Sequence, residues 1–429
     1  MRFDEALAQL DARQPEHMPG PSLDRISQVV DVLDHPERTS PTIHVTGTNG
    51  KSTTARVAAG VACAHGVTTG LFISPHLRSV TERFSVCGDD MTEREFADEW
   101  EHLAPFLDLV DGGKAGAVTY FEAVTALAFL WFADKPVGLA VFEVGMGGSW
   151  DATNLIASEV AVICPIGMDH VAELGPTLTD IAAEKSGVLK PGTVAIVREQ
   201  DTQAEVVIRR RADDVGATLN WEGPEWEVEE RLRAVGGQTF RLRGLHATYE
   251  DLYLPLFGEH AVHNAAAGIV AVEATLDRAL DETSLRDGLA AVRAPGRLEI
   301  VERQPLVVLD GAHNPAGAEA LASAMMEFFT WNRLHLVLAV SANKDLHGIL
   351  RPLAPLADAA YAARNDSVRS ADAAPLADAF AARDTPVAVF DSVRAAIEAA
   401  RASADPRDVI LVTGSLYTVA DARRALGAP

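Results

Sequence analysis

The chain has 429 residues, 48% of them hydrophobic and 23% charged, the profile of a globular protein with more than one core: at roughly 100–200 residues per domain, two or three domains are expected. Its 37 Lys and Arg stand against 61 Asp and Glu, a net charge of −24. That balance excludes a protein that grips nucleic acid through an overall basic field, so anionic ligands must be held by helix N-termini, a few cations and metal ions. No apolar run approaches the ~18 residues of a membrane-spanning helix. The opening MRFDEALAQLDARQ mixes acids and bases, so neither a membrane segment nor a signal peptide is expected. Cys63, Cys87 and Cys164 are few, odd in number and widely spaced. They fit a reducing, cytoplasmic compartment, each as a small buried hydrophobe rather than a disulfide or zinc ligand.

Strand and helix signals alternate along the first half. Strands are expected at Thr42–Thr46, Val67–Ile73, Gly138–Glu143 and Val160–Pro165. Helices are expected at Lys51–His65, Phe121–Phe132 and Leu178–Gly187. Short apolar runs between helices predict a parallel sheet covered on both faces. Thr218–Leu256 alternates instead and reads as antiparallel strands and hairpins, followed by an Ala-rich helix over His260–Leu280. Ala294-Pro295-Gly296 breaks the pattern and marks a domain boundary. A second alternating set follows, with strands at Leu306–Leu309, Leu334–Val340, Ala359–Ala363, Pro386–Phe390 and Val409–Thr413 and a first helix at Pro315–Phe328.

Between the first strand and helix lies Gly47-Thr48-Asn49-Gly50-Lys51-Ser52-Thr53-Thr54. Glycines let such a loop curl so that backbone N–H groups and a helix N-terminus face phosphate oxygens. The lysine reaches the terminal phosphates, and the hydroxyl after it can bind Mg²⁺. The loop supplies the GK[ST] end of the general nucleotide pattern, with Gly47 two positions later than that pattern's first glycine. Two carboxyl-edge residues, Glu143 and the later His170, stand at the ends of expected strands, where ligands of parallel sheets bind.

The tighter GTNGKST form resembles the ATP loop of the Mur ligase family, and the remaining motifs resemble its folylpolyglutamate synthases. These are Ser74-Pro75-His76-Leu77 with Glu82-Arg83-Phe84; Thr119-Tyr120-Phe121-Glu122; Glu143-Val144-Gly145-Met146-Gly147-Gly148 with Asp151-Ala152-Thr153-Asn154; and Asp169-His170 with Glu184-Lys185-Ser186-Gly187. Asn264-Ala265-Ala266, Pro295-Gly296-Arg297-Leu298-Glu299, Asp310-Gly311-Ala312-His313-Asn314-Pro315 and Gly414-Ser415-Leu416-Tyr417 complete the series. They run in family order from about residue 42 to 417.

The resemblance implies an α/β fold. A P-loop ATPase domain over residues 1–295 would carry a mostly parallel sheet and a small antiparallel β portion, and a smaller Rossmann-like domain would occupy 296–429. It implies ATP bound in a cleft between domains by Gly47, Thr48, Asn49, Gly50, Lys51, Ser52 and Thr53, with Asn264, Arg297, Asp310 and His313. Two Mg²⁺ ions would be held among Ser52, Ser74, Glu143, His170 and Lys185, the last carbamylated. Lys51, Lys185, His170 and Arg297 would carry catalysis, and Lys344 and Asp345 resemble a further strand-end pair. The implied activity is ligation of L-glutamate to a dihydropteroate or folate carboxylate through an acyl phosphate, by a monomer without nucleic-acid or membrane partners.

Three departures bear on the substrate: GKST where many folate enzymes read GKGS, Ser149-Trp150 in place of Arg-Leu, and Cys87–Met91 in place of an ING-type turn. They leave open a paralogue acting on another carboxylate. A cell-wall amino-acid ligase is disfavoured, because only 46 residues precede Gly47 and such enzymes carry a domain ahead of this loop. A non-catalytic ATP-binding module is disfavoured by the retention of Glu143, His170 and Arg297 together.

Overall fold

The computed structural model describes residues 1–15, 22–383 and 385–428. It forms two compact units, one of Met1–Leu232, Thr239–Leu254 and His263–Val292, the other of Arg233–Gln238, Pro255–Val262 and Arg293–Pro429.

Among the described residues, the first unit is built on eight strands: β1 Thr42–Thr46, β2 Thr69–Phe72, β3 Phe84–Val86, β4 Asp89–Asp90, β5 Leu139–Glu143, β6 Val160–Ile163, β7 Val194–Val197 and β8 Thr218–Trp221. Their order is β4–β3–β2–β5–β1–β6–β7–β8. All neighbours from β2 to β8 are parallel, and β3 and β4 add an antiparallel edge. β1 and β5 are buried at every residue, as strands covered on both faces must be. The helix Tyr120–Asp134 covers one face and is buried continuously from Phe121 to Phe132. It packs in an aromatic cluster where the Phe142 ring lies 5.2–5.9 Å from those of Phe72, Phe129 and Phe132. Because β1 lies between β5 and β6, the loops leaving the carboxyl ends of these three strands converge, and that convergence positions the site.

The alternating stretch after residue 218 divides differently from expectation. Thr218–Trp221 joins the main sheet as parallel strand β8, with Val194 opposite Thr218. A four-residue strand is too short to reveal its partner by period, so tertiary pairing decides it. β9 Glu227–Ala234, β10 Gly237–Arg243 and β11 Thr248–Leu254 form a separate sheet ordered β11–β10–β9. The helix expected over His260–Leu280 is Glu259–Leu276; the chain turns at Asp277, whose φ is +49°. Helices Phe3–Asp11, Asp24–Val32, Glu93–Asp111 and Thr202–Val215 had no sequence assignment.

The cysteine expectation fails for two of the three. Cys63 and Cys87 are joined in a disulfide with Cα atoms 5.6 Å apart, and neither is buried; Cys164 alone is a free, buried thiol. The span of 24 residues concealed a contact made by folding the β3–β4 turn against the end of the helix Lys51–Ala64.

In the second unit β12 Glu299–Arg303, β13 Leu306–Leu309, β14 Leu334–Leu338, β15 Ala359–Ala363, β16 Val387–Phe390 and β17 Val409–Thr413 form a sheet ordered β12–β13–β17–β14–β15–β16. It is parallel except for β12, which pairs antiparallel with β13. No helix among the described residues is long and apolar enough to cross a membrane.

Arg25, on the helix Asp24–Val32, places Nε 3.0 Å from the Glu122 carboxylate, and the two residues are 6% and 4% exposed. A buried charge stripped of its partner is costly. Arg25→Met is therefore expected to lower unfolding stability by about 3–5 kcal/mol, read as a shift of the urea midpoint at constant m-value.

Candidate active site

The helix Lys51–Ala64 starts directly on Gly50 and carries no acidic residue in its first turn, so its N-terminal amides meet an incoming anion unopposed. Two glycines shape the loop before it. Gly47 has φ +141°, and a Cβ there would lie 2.5 Å from Cβ of Cys164; Gly50 has φ +91°, and a Cβ there would lie 2.4 Å from Oδ1 of Asn264. Thr48 fixes the loop to the chain after β6, donating N–H to Pro165 O and accepting N–H from Gly167, both at 3.0 Å. Lys51 Nζ folds back to the carbonyls of Gly47 and Thr48 at 3.0 and 3.3 Å.

Glu143 ends β5 and is 2% exposed. Its Oε1 accepts the Ser52 hydroxyl at 2.8 Å, and its Oε2 accepts the Ser74 backbone N–H at 3.2 Å. Lys185, 4% exposed, reaches from the end of its helix to Gly47 O at 2.9 Å. Burial, and then the Lys51 charge, pull its amine down to about 7. His170 opens the short helix Val171–Leu174 with φ +50°, its N–H on Asp169 Oδ1 at 2.8 Å.

Motifs separated in sequence interlock here. A Cβ on Gly148 would lie 2.7 Å from the carbonyl oxygens of Glu184 and Lys185, so the 145–150 loop packs directly on the Lys185 helix. Ser149 N and Oγ both donate to Glu184 O, at 3.0 and 3.1 Å. Asp151 takes the N–H groups of Met146 and Thr153 and the Thr153 hydroxyl. That hydroxyl in turn accepts His44 Nε2–H at 2.8 Å, from beneath in β1. The Ser74 and Arg83 segments likewise form one piece: Arg83 Nε donates to His76 Nδ1 at 3.0 Å, and Glu82 caps the N–H groups of Leu77 and Ser79.

Asn264 is buried, its carbonyl accepting the Thr54 hydroxyl at 3.1 Å. In the second unit Asp310 is 6% exposed and accepts N–H from Leu298 and Ala312 at 2.9 and 2.8 Å. Burial raises its carboxyl above the ordinary range. The cap of Pro315–Phe328 is Asn314, which accepts the Gly317 N–H. His313 Nδ1–H donates to Gly311 O at 2.8 Å, and a Cβ on Gly311 would lie 2.6 Å from Arg297 Nη1. Asp345 caps the helix Leu346–Leu353; Lys344 precedes it.

Residues 45–272 match the Mur ligase middle domain, and 296–416 match the Mur ligase glutamate ligase domain. A Mycobacterium tuberculosis protein named dihydrofolate synthase/folylpolyglutamate synthase is 41% identical over 97% of this chain and 92% of its own length. A Bacillus subtilis protein of the same name is 34% identical over 95% of each. The chain belongs to the Mur ligase family, in its dihydrofolate synthase/folylpolyglutamate synthase branch. The solved Mycobacterium tuberculosis folylpolyglutamate synthase complexed with ADP superposes with TM-score 0.95 at 40% identity, covering 100% of this chain and 98% of that one. Escherichia coli FolC in complex with DHPP and ADP gives TM-score 0.88 at 32% identity, covering 100% and 98%. This Mur ligase is thus an ATP-dependent ligase, as the resemblance implied.

Within this Mur ligase the structure gathers Gly47, Thr48, Gly50, Lys51, Ser52, Ser74, Glu143, Lys185 and Asn264 around one loop in the first unit. Arg297, Asp310 and His313 gather in the second. Sequence reasoning missed His44, Arg198 and Glu222, which support these residues from strands and strand ends bearing no motif of their own.

His44 is wholly buried, and burial depresses its imidazole to about 3. The unfolded chain protonates this histidine below its ordinary value of about 6.5, whereas the fold keeps it neutral. Its contribution is complete above pH ~6.5 and falls by about 1.4 kcal/mol per pH unit down to about 3. Replacement by glutamine is expected to flatten this part of the stability–pH curve, measured by urea unfolding between pH 4 and 7.

Proposed function

We propose that this chain couples ATP hydrolysis to amide-bond formation between L-glutamate and a dihydropteroate or folate carboxylate. The observation that carries this reading is a buried cluster of phosphate loop, Glu143 and Lys185 in a chain that matches folylpolyglutamate synthases almost end to end. In the first step a carboxylate oxygen of the substrate attacks the γ-phosphorus, the bond to the β-bridging oxygen breaks, and ADP leaves an acyl phosphate. In the second the glutamate amine attacks the acyl carbon, the carbon–oxygen bond to phosphate breaks, and the amine's proton and inorganic phosphate depart.

The loop amides of residues 47–53 and Lys51 would cradle the phosphates and stabilise the charge gathered there. Asn264 would bind the remainder of the nucleotide from the first unit. The Glu143 carboxylate and Ser52 hydroxyl, two hard oxygen donors 2.8 Å apart, fit Mg²⁺, with Ser74, His170 and Lys185 completing two sites. When bound, Mg²⁺ would supply charge neutralisation at the phosphates. Lys185 fits carbamylation: its buried amine lies against a phosphate loop that already holds Lys51. Addition of CO₂ to the neutral amine with loss of one proton, or to the ammonium with loss of two, would replace a desolvated base by an anion opposite Lys51. ATP dependence supports a cytoplasmic setting, and we take the enzyme to act as a monomer.

Incubation with Mg²⁺, ATP and L-glutamate, and separately dihydropteroate, tetrahydrofolate or a UDP-muramyl peptide, tests this with mass detection of product. Glutamate added to a pterin is the expected outcome; turnover of the muramyl substrate alone would overturn it. Lys185→Ala is expected to lower kcat by about 100-fold or more, with partial recovery on adding short-chain carboxylates that replace the lost anion. Full activity without any addition would exclude a role for this lysine.

A further inference from the structure

Arg198 follows β7 at the carboxyl edge of the main sheet and is 8% exposed, yet no motif contains it. Its guanidinium spans two partners: Nε lies 2.7 Å from Glu222 Oε2, and Nη1 donates to Asn264 Oδ1 at 2.7 Å. Glu222 follows β8, and its side chain is 8% exposed. It also accepts the Glu199 N–H at 2.9 Å and is bonded to Nδ1 of His263, the residue before Asn264. Burial alone would raise the Glu222 carboxyl, but the His263 hydrogen bond, the Arg198 charge and the Glu199 amide outweigh it and hold the group at about 2. The guanidinium is thus fixed by a permanent anion that also grips the helix bearing Asn264.

Asn264 is 5% exposed, and its backbone carbonyl is held by the Thr54 hydroxyl. Its amide occupies the space that a side chain on Gly50 would need. A carboxamide has one acceptor end and one donor end, and rotation about its last bond exchanges them. A cation on Oδ1 removes that freedom, because the reversed amide would turn N–H groups toward the guanidinium. Both ends of the amide lie against the phosphate loop, Oδ1 at 2.4 Å and Nδ2 at 2.8 Å from where a Cβ on Gly50 would sit; with Oδ1 held by the guanidinium, Nδ2 is the donor left for a ligand.

We propose that Arg198 is a positioning residue for the nucleotide: it locks the Asn264 amide so that its N–H₂ is presented to a hydrogen-bond acceptor on the purine. This rests on the reading of Asn264 as a nucleotide contact. Arg198 touches no reacting atom. Its effect falls on recognition of the base, whereas recognition of the phosphates belongs to the loop.

The test compares Arg198→Met, Arg198→Lys, Asn264→Ala and the Arg198→Met/Asn264→Ala pair. ATP is varied at saturating co-substrates, thermal midpoints are recorded, and inorganic tripolyphosphate binding serves as a probe of the loop without a base. Arg198→Met is expected to raise the KM for ATP about tenfold or more, with kcat within about threefold of the parent and tripolyphosphate affinity unchanged. Arg198→Lys should recover part of the loss, and the pair should be no worse than Asn264→Ala alone, since the two groups act as one. An unchanged KM in Arg198→Met beside a weakened Asn264→Ala would overturn the positioning role alone. Equal loss of tripolyphosphate binding would also overturn it, making Arg198 a structural support of the loop. Parent-like ATP affinity in Asn264→Ala would remove the underlying nucleotide contact and this inference together. Should Arg198→Met fail to fold, Glu222→Gln is expected to produce a smaller rise in the same KM, and no rise would overturn the proposal.

Discussion

A carboxylate at 2% exposure cannot be left alone, and the arrangement around Glu143 follows from that constraint. A buried anion must collect donors or a cation. Here the hydroxyl of Ser52 and the backbone N–H of Ser74 supply them. One donor comes from the first turn of the helix that leaves β1, the other from the chain that leaves β2. Satisfying one side chain on β5 thereby fixes the spacing of three neighbouring strand ends. The parallel order β2–β5–β1 makes this geometry available; an antiparallel neighbour would deliver its loop to the opposite edge of the sheet.

A second constraint is close backbone approach. Gly47, Gly50 and Gly148 each lie where a Cβ would meet another segment at 2.4–2.7 Å. The contacts are with the chain after β6, with Asn264 and with the end of the Lys185 helix. Gly47 and Gly50 thus bring the chain after β6 and Asn264 against the phosphate loop, Gly148 brings the 145–150 loop against the Lys185 helix, and the amines of Lys51 and Lys185 both reach the phosphate loop. Backbone amides and the Lys51 amine gathered at this loop suit a ligand of high negative charge in a chain whose net charge is −24. The overall field repels an anion, so attraction must come from within a Debye length, about 8–10 Å at ordinary ionic strength.

How far this was legible from sequence depended on how local each interaction is. The phosphate loop, the strand-end Glu143 and the buried helix Tyr120–Asp134 announce themselves through adjacent residues: glycines before a lysine, an apolar run ending in an acid, a capped apolar stretch. The Cys63–Cys87 bridge, β8 and the Arg198 network do not, because each is defined by a partner 20 or more positions away. Edge strand β8 carries too few residues to reveal a period. The arginine at the end of β7 reads in sequence as one more surface charge. The helix Glu93–Asp111 is as local a signal as the phosphate loop, since Phe96, Trp100, Leu103, Leu107 and Val110 form a buried stripe at helical spacing.

The substitution that most separates this chain from the folate-enzyme motif, Ser149-Trp150 where Arg-Leu is usual, is absorbed by packing. Ser149 sits so close to Gly187 that a Cβ there would lie 2.0 Å from its hydroxyl oxygen, and that hydroxyl donates to Glu184 O. Trp150 packs against the apolar cluster under β6 and β7, while its N–H holds the Glu184 carboxylate at 3.2 Å. A longer cationic side chain at 149 would have to leave this pocket for solvent or for the site itself. The serine gives up a local charge and adds one side-chain hydrogen bond, beside that of its backbone N–H, fastening the 145–150 loop to the helix carrying Lys185. The chemistry-bearing groups on either side, Glu143 and Lys185, keep their places.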